Sequence, residues 1–114
     1  MRRPPAPREM PPPLEVECLK ALWLLGEGTV RSVRDAMHER KLAYTTVMTL
    51  LDRLEKRGTV SRVKRGRSFV YAAKATPEEM RQLAVKELLE TFFDGNASAL
   101  ASFLTRQLKP GGST

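Results

Sequence analysis

The chain has 114 residues, 41% of them apolar, with twenty Lys and Arg against thirteen Asp and Glu for a formal charge of +7. That length allows one hydrophobic core with a small appendage and is too short for two independent cores. A single cysteine excludes an intramolecular disulfide and any Cys-rich metal cluster, and no apolar run approaches the roughly eighteen residues that span a bilayer, so a cytoplasmic chain without membrane insertion is expected.

Positive charge favours a polyanionic partner, and its distribution is more informative than its sum. Between Arg31 and Arg67 there are eleven basic and four acidic residues, whereas from Thr76 to Leu108 there are three basic and five acidic ones. The positive field therefore belongs to the middle of the chain.

Residues 1–13 (MRRPPAPREMPPP) are Pro-rich and basic, with almost nothing to bury, which predicts a disordered arm. A solvated leader, a DNA-tracking basic arm and a ligand for a proline-binding groove are the readings open for it. A first helix is expected over Leu14–Leu25, with Cys18, Leu19, Leu22, Trp23 and Leu25 as its apolar face and Gly26 and Gly28 after it. Trp23 reads as a core anchor and Cys18 as a buried thiol, because its Leu-rich neighbours supply none of the electropositive setting that makes a thiol reactive. Thr29 can cap a second helix that keeps helical spacing through Val30, Val33 and Met37 to His38 or Glu39. His38, the sole histidine, has no Asp, Glu or Cys at ligand spacing and reads as a surface residue, so neither metal nor cofactor is expected.

After a short turn at Arg40-Lys41-Leu42-Ala43, a third helix is expected from Tyr44. Val47, Leu50, Leu51 and Leu54 recur at i, i+3, i+4 and i+7 and form one apolar stripe. The opposite face carries Thr46, Thr49, Arg53 and Lys56. Short hydroxyls that reach base edges and long cations that reach phosphates suit a helix in a DNA groove, although a solvated face has the same composition. Thr59–Lys64 and Ser68–Ala72 read as strands joined at Arg65-Gly66-Arg67, with Gly66 able to take the positive φ of a tight hairpin. Phe69 and Tyr71 share a face and are expected to pack on the helices, while Arg65 and Arg67 at the tip suit phosphate contacts.

Thr76-Pro77-Glu78-Glu79 is a helix start: Thr at the cap, Pro at the first position, and Glu placed to close a capping box. The helix should run to about Phe93, with Leu83, Val85, Leu88, Leu89, Phe92 and Phe93 covering more than one side. Asp94-Gly95 breaks it, Asn96 can cap a last helix, and Leu100, Phe103, Leu104 and Leu108 give that helix a stripe. A dimer interface and a hairpin folded back on its own chain both use such helices. The division expected is a basic arm over 1–13, a winged helix-turn-helix over 14–75, a helical dimerisation region over 76–108 and a flexible tail over 109–114. The fold class is mainly α with a small β-hairpin wing.

The blocks Leu14-Glu15-Val16-Glu17-Cys18-Leu19-Lys20-Ala21-Leu22-Trp23 and Ala43-Tyr44-Thr45-Thr46-Val47-Met48-Thr49-Leu50-Leu51-Asp52-Arg53-Leu54, followed by Gly58 and a wing ending Phe69-Val70-Tyr71, resemble the penicillinase-repressor family of bacterial winged-helix regulators (the BlaI, MecI and CopY type). Phe92-Phe93-Asp94-Gly95-Asn96 looks like that family's break between its last helices. The resemblance implies a homodimer that represses promoters by sitting on a double-stranded dyad operator. By position it puts Tyr44, Thr45, Thr46, Met48 and Thr49 in the major groove and Arg53, Arg65 and Arg67 on the backbone. Relatives of the antibiotic-responsive branch carry basic residues where this chain has Thr45 and Met48, so a different operator is implied. The same branch is switched off when a membrane-bound metalloprotease sensor triggers cleavage in the dimerisation region, and the corresponding bond here is Ser102-Phe103, with Ser in place of the usual Asn. Phe103 as plain helix core is the competing reading. The paired cysteines of the copper-responsive branch are missing, and the chain stops where relatives continue into a further helix.

No paired carboxylates, Ser-His or Cys-His arrangement, HExxH or Gly-rich phosphate loop is present, so the chain is not expected to be an enzyme. The alternative to a repressor is a winged-helix interaction adaptor whose Pro-rich arm or last helices dock a partner without specific DNA binding.

Overall fold

In the computed structural model, which describes residues 9–108, helix α1 (Pro13–Leu25) opens on a proline at its first position, where the missing N–H costs nothing. It buries Cys18, Leu19, Ala21 and Leu22. Leu25, expected on that face, is 41% exposed because the helix ends there and the chain turns away at Gly26. Most of the expected arm and the whole tail lie outside the described residues; at the arm's end Met10 packs against the core and Pro11 is buried.

Helix α2 (Val30–Ala36) begins where the Thr29 hydroxyl accepts the Ser32 N–H at 3.2 Å. The expected last turn, out to His38 or Glu39, is instead a separate 3₁₀ turn, His38–Arg40, closed by Lys41 at φ 52°. Helix α3 (Tyr44–Lys56) follows and buries Val47, Leu50, Leu51 and Leu54, all four residues of its predicted stripe.

Strands β1 (Val60–Arg65) and β2 (Ser68–Ala73) pair antiparallel, with Arg65 opposite Ser68, so that Gly66 and Arg67 form a two-residue turn. Gly66 sits at φ 63°, a conformation that a side chain strains. A second, short pairing joins the loop before α2 to the hairpin: Gly28 and Tyr71 exchange two backbone hydrogen bonds, each 2.8 Å. A side chain at position 28 would meet the Ser32 hydroxyl at 2.7 Å and the Leu25 side chain at 3.2 Å, so glycine suits the close packing of this loop on α1 and α2. Tyr71 is buried on the helices, but Phe69, two residues nearer the tip, is 41% exposed because the hairpin has by then passed the edge of the core.

Helix α4 (Pro77–Phe92) carries the full capping box, Thr76 Oγ1 accepting from Glu79 N at 3.1 Å and Glu79 Oε1 from Thr76 N at 2.9 Å. Its first turns join the core through Met80 and Leu83. The Trp23 indole N–H donates to the Ala75 carbonyl at 2.8 Å and fixes the chain just before α4 leaves. Helix α5 (Ala97–Gln107), capped by the Asn96 side chain on Ala99 N, folds back so that the Phe93 and Phe103 rings lie 5.7 Å apart. Beyond Met80 and Leu83, no residue of α4 or α5 joins the core formed by α1 to α3 and the hairpin, so the two helices project from it.

Candidate nucleic-acid interface

Burying Val47, Leu50, Leu51 and Leu54 turns the other side of α3 outward. Tyr44, Thr45, Thr46, Met48, Thr49, Arg53 and Lys56 are all exposed there. The Thr49 hydroxyl donates to the Thr45 carbonyl at 3.0 Å, so its proton is used within the helix and its oxygen faces out as an acceptor. One face thus offers hydroxyl acceptors, a thioether and a phenol, with cations towards the C-terminal end.

The hairpin stands beside this helix, and acids shape its charge. Asp52 faces two cations, Lys56 Nζ at 3.1 Å and Arg62 at 3.8 Å. Arg62 also lies 4.3 Å over the Phe69 ring; the Tyr71 side chain first, with Asp52 and Glu55 adding to it, holds its guanidinium above the ordinary value. At the tip Arg65 is paired with Glu27, at 2.5 and 3.5 Å. Arg53 and Arg67 face no acidic partner among the described residues. Of the four cations expected on phosphates, two are therefore unpaired and two are held by carboxylates. Nothing in the sequence pointed to Glu27, which meets Arg65 across 38 positions of chain.

Between α2, the start of α3 and the wing lies a cleft of about 370 Å³ whose wall includes Arg31, Tyr44, Met48, Arg67 and Phe69. Arg31 belongs to the basic middle segment, but spacing assigns it no role, since it sits on α2 and only the fold brings it beside the wing.

The predicted interface residues divide. Leu100 is buried within the protomer, and Leu83, Leu89 and Phe93 are half-buried. Val85, Leu88, Phe92, Phe103 and Leu104 are exposed, Phe92 at 73%. Ser102 is exposed on α5, one residue before Phe103.

Burial pushes the Cys18 thiol up to about 12, with Glu15 and Glu17 adding to the effect, so it stays protonated at neutral pH. His38 is exposed, its Nδ1 3.3 Å from the Asp35 carbonyl. Among the described residues no group of three His, Cys, Asp or Glu could hold a metal ion, and no helix is long and apolar enough to cross a membrane.

Known proteins resemble the chain in both sequence and fold. The sequence model described as penicillinase repressor matches residues 12–111. Transcriptional regulator BlaI of Mycobacterium tuberculosis (strain ATCC 25618 / H37Rv) is 37% identical over 97 residues, spanning 82% of this chain and 70% of that protein. The solution structure of the DNA-binding domain of the repressor BlaI superposes with a TM-score of 0.56 at 25% identity, over 66% of this chain and 90% of that one. The YusO protein of Bacillus subtilis shares the fold, with a TM-score of 0.52 at 18% identity over 84% of this chain and 72% of its own. The penicillinase repressor model and the BlaI sequence describe transcriptional regulators, a non-enzymatic family. The matched span, the winged-helix architecture and the identity to BlaI place the chain in the penicillinase repressor family of DNA-binding transcriptional repressors.

Proposed function

We propose that the protein is a homodimer that binds a dyad operator in double-stranded DNA, with α3 in the major groove and the wing on the adjoining backbone. The observation that carries this reading is the division of α3 into a fully buried apolar stripe and an exposed face of Tyr44, Thr45, Thr46, Met48 and Thr49. In the groove, the threonine hydroxyls read base edges and Met48 meets a thymine methyl. Arg53 and Arg67 contact phosphates directly. Lys56 and Arg65 contact phosphates by exchanging Asp52 and Glu27 for phosphate oxygens, which lessens what each adds to affinity.

Residues 14–75 form the DNA-binding unit and 76–108 the dimerisation region. Val85, Leu88, Phe92, Phe103 and Leu104, exposed on one protomer, are covered by the second copy, while Leu83, Leu89, Phe93 and Leu100 support the helices from beneath. Repression is relieved when a membrane-bound metalloprotease sensor triggers cleavage at Ser102-Phe103. That bond lies inside α5, so cleavage requires the helix to open locally and is slow in the intact dimer.

Selection of bound duplex from a random pool, followed by titration over a range of salt, tests the reading. An inverted repeat with half-sites about one or two helical turns apart is expected. Weak, salt-labile binding with no recovered motif would instead indicate an interaction adaptor.

A further inference from the structure

We propose that Arg31, Arg67 and the Tyr44 hydroxyl bind one backbone phosphate of duplex DNA in the cleft between α2 and the wing, with the Tyr44 ring and Phe69 against the adjoining deoxyribose. This rests on the operator-binding reading and adds to it a contact made from outside α3 and the wing tip. Arg31 and Arg67 border the same cleft of about 370 Å³, and neither faces a carboxylate among the described residues. Arg40 is held by Glu17, Arg57 by Glu15, Arg62 and Lys56 by Asp52, and Arg65 by Glu27; Arg34, Arg53 and Lys64 face no acid among the described residues either, but they do not line this cleft. Two guanidiniums that border one cleft and are left without an acid are a site for an anion, and their planar forks suit phosphate oxygens.

The rest of the wall narrows the kind of anion. Tyr44 is 46% exposed, Met48 42% and Phe69 41%, and all three large apolar side chains line this cleft. A free inorganic anion would gain nothing from them. A phosphodiester brings its sugar with it, and the sugar's carbon face covers such a surface. The walls are held in place before binding, since Gly28 and Tyr71 exchange two 2.8 Å backbone bonds and Thr29 caps α2 at Ser32. The cleft also adjoins the start of α3, where a strand passing from the wing to the groove has to run.

The test uses the full chain and two duplexes, the selected operator and a random sequence, with affinity followed by fluorescence anisotropy across a salt series. Arg31→Ala should weaken both duplexes by the same factor and reduce the steepness of log K against log salt by about one. Arg31→Lys, which keeps the charge, should retain the wild-type slope. Methylphosphonates placed singly along the operator should reveal one position that weakens Arg31→Ala by a smaller factor than it weakens the wild type. A wild-type slope in Arg31→Ala, with circular dichroism showing it folded, overturns the proposal while leaving operator binding intact. Absence of salt-dependent duplex binding by the wild type removes the operator reading and the proposal with it.

Discussion

Glu15 is 1% exposed in the first turn of α1, its Oε1 3.6 Å from the Arg57 guanidinium just beyond α3. A buried carboxylate is tolerated only while a counter-charge stays near it. Arg57→Ala should therefore cost about 1–3 kcal/mol of stability, read as a lower urea midpoint with an unchanged slope. Glu15→Gln should cost clearly less, because it removes the charge along with the need for a partner. Equal losses in the two variants would mean that packing rather than charge is what matters there. A second ion pair gives a pH dependence. The Arg40 guanidinium bonded to Glu17, with Lys20 adding to it, holds that carboxyl below its ordinary value in the folded protein. A folded pKa below the unfolded one stabilises the fold above the unfolded pKa and ceases to do so as pH falls through the folded one. The melting-temperature gap between wild type and Arg40→Gln should thus be open at pH 7 and close below about pH 4, the ordinary carboxylate range. A gap that persists in acid would assign it to something other than this charge pair.

At the scale of elements, α3 and the wing should respond differently to substitution. Changing Thr46 or Thr49 to Ala should cost about 1–3 kcal/mol on the true operator and little on random DNA, whereas Arg67→Ala should weaken both alike. Equal losses on the two DNAs for the threonine variants would remove base readout by α3. For α4, Leu88→Asp should split the proposed dimer, because it would leave a carboxylate unpaired in an apolar seam; sedimentation at an unchanged dimer mass would place the interface elsewhere. How legible each element is in the sequence follows from how local its causes are. The stripe of α3 and the capping box at Thr76 are set by residues within a turn or two of each other, and both appear as their spacing predicts. The end of α2 is less local: the chain tightens into a 3₁₀ turn so that Lys41 can swing it into α3. Phe69 escapes a period-two reading because alternation gives the face of a strand but not how far along it the core extends. The pairing of Arg65 with Glu27 and the approach of Arg31 to the wing depend on packing between distant segments, which no local pattern encodes.

Across the whole molecule, α1 to α3 and the hairpin share one core and make up a body, from which α4 and α5 extend as an arm beyond Met80 and Leu83. Most of the buried apolar side chains lie in the body, whereas Val85, Leu88, Phe92, Phe103 and Leu104 are open along the arm. In the proposed dimer the angle at which α4 departs would set the distance between the two copies of α3, and with it the spacing of half-sites that can be bound together. That angle is held by the hydrogen bond from Trp23 to the Ala75 carbonyl, immediately before the Thr76 cap. Trp23 is the only tryptophan in the chain, so the emission of the unlabelled protein comes chiefly from an indole at the joint, and its wavelength and anisotropy form a built-in optical gauge of whether the arm shifts when the body takes up its ligand.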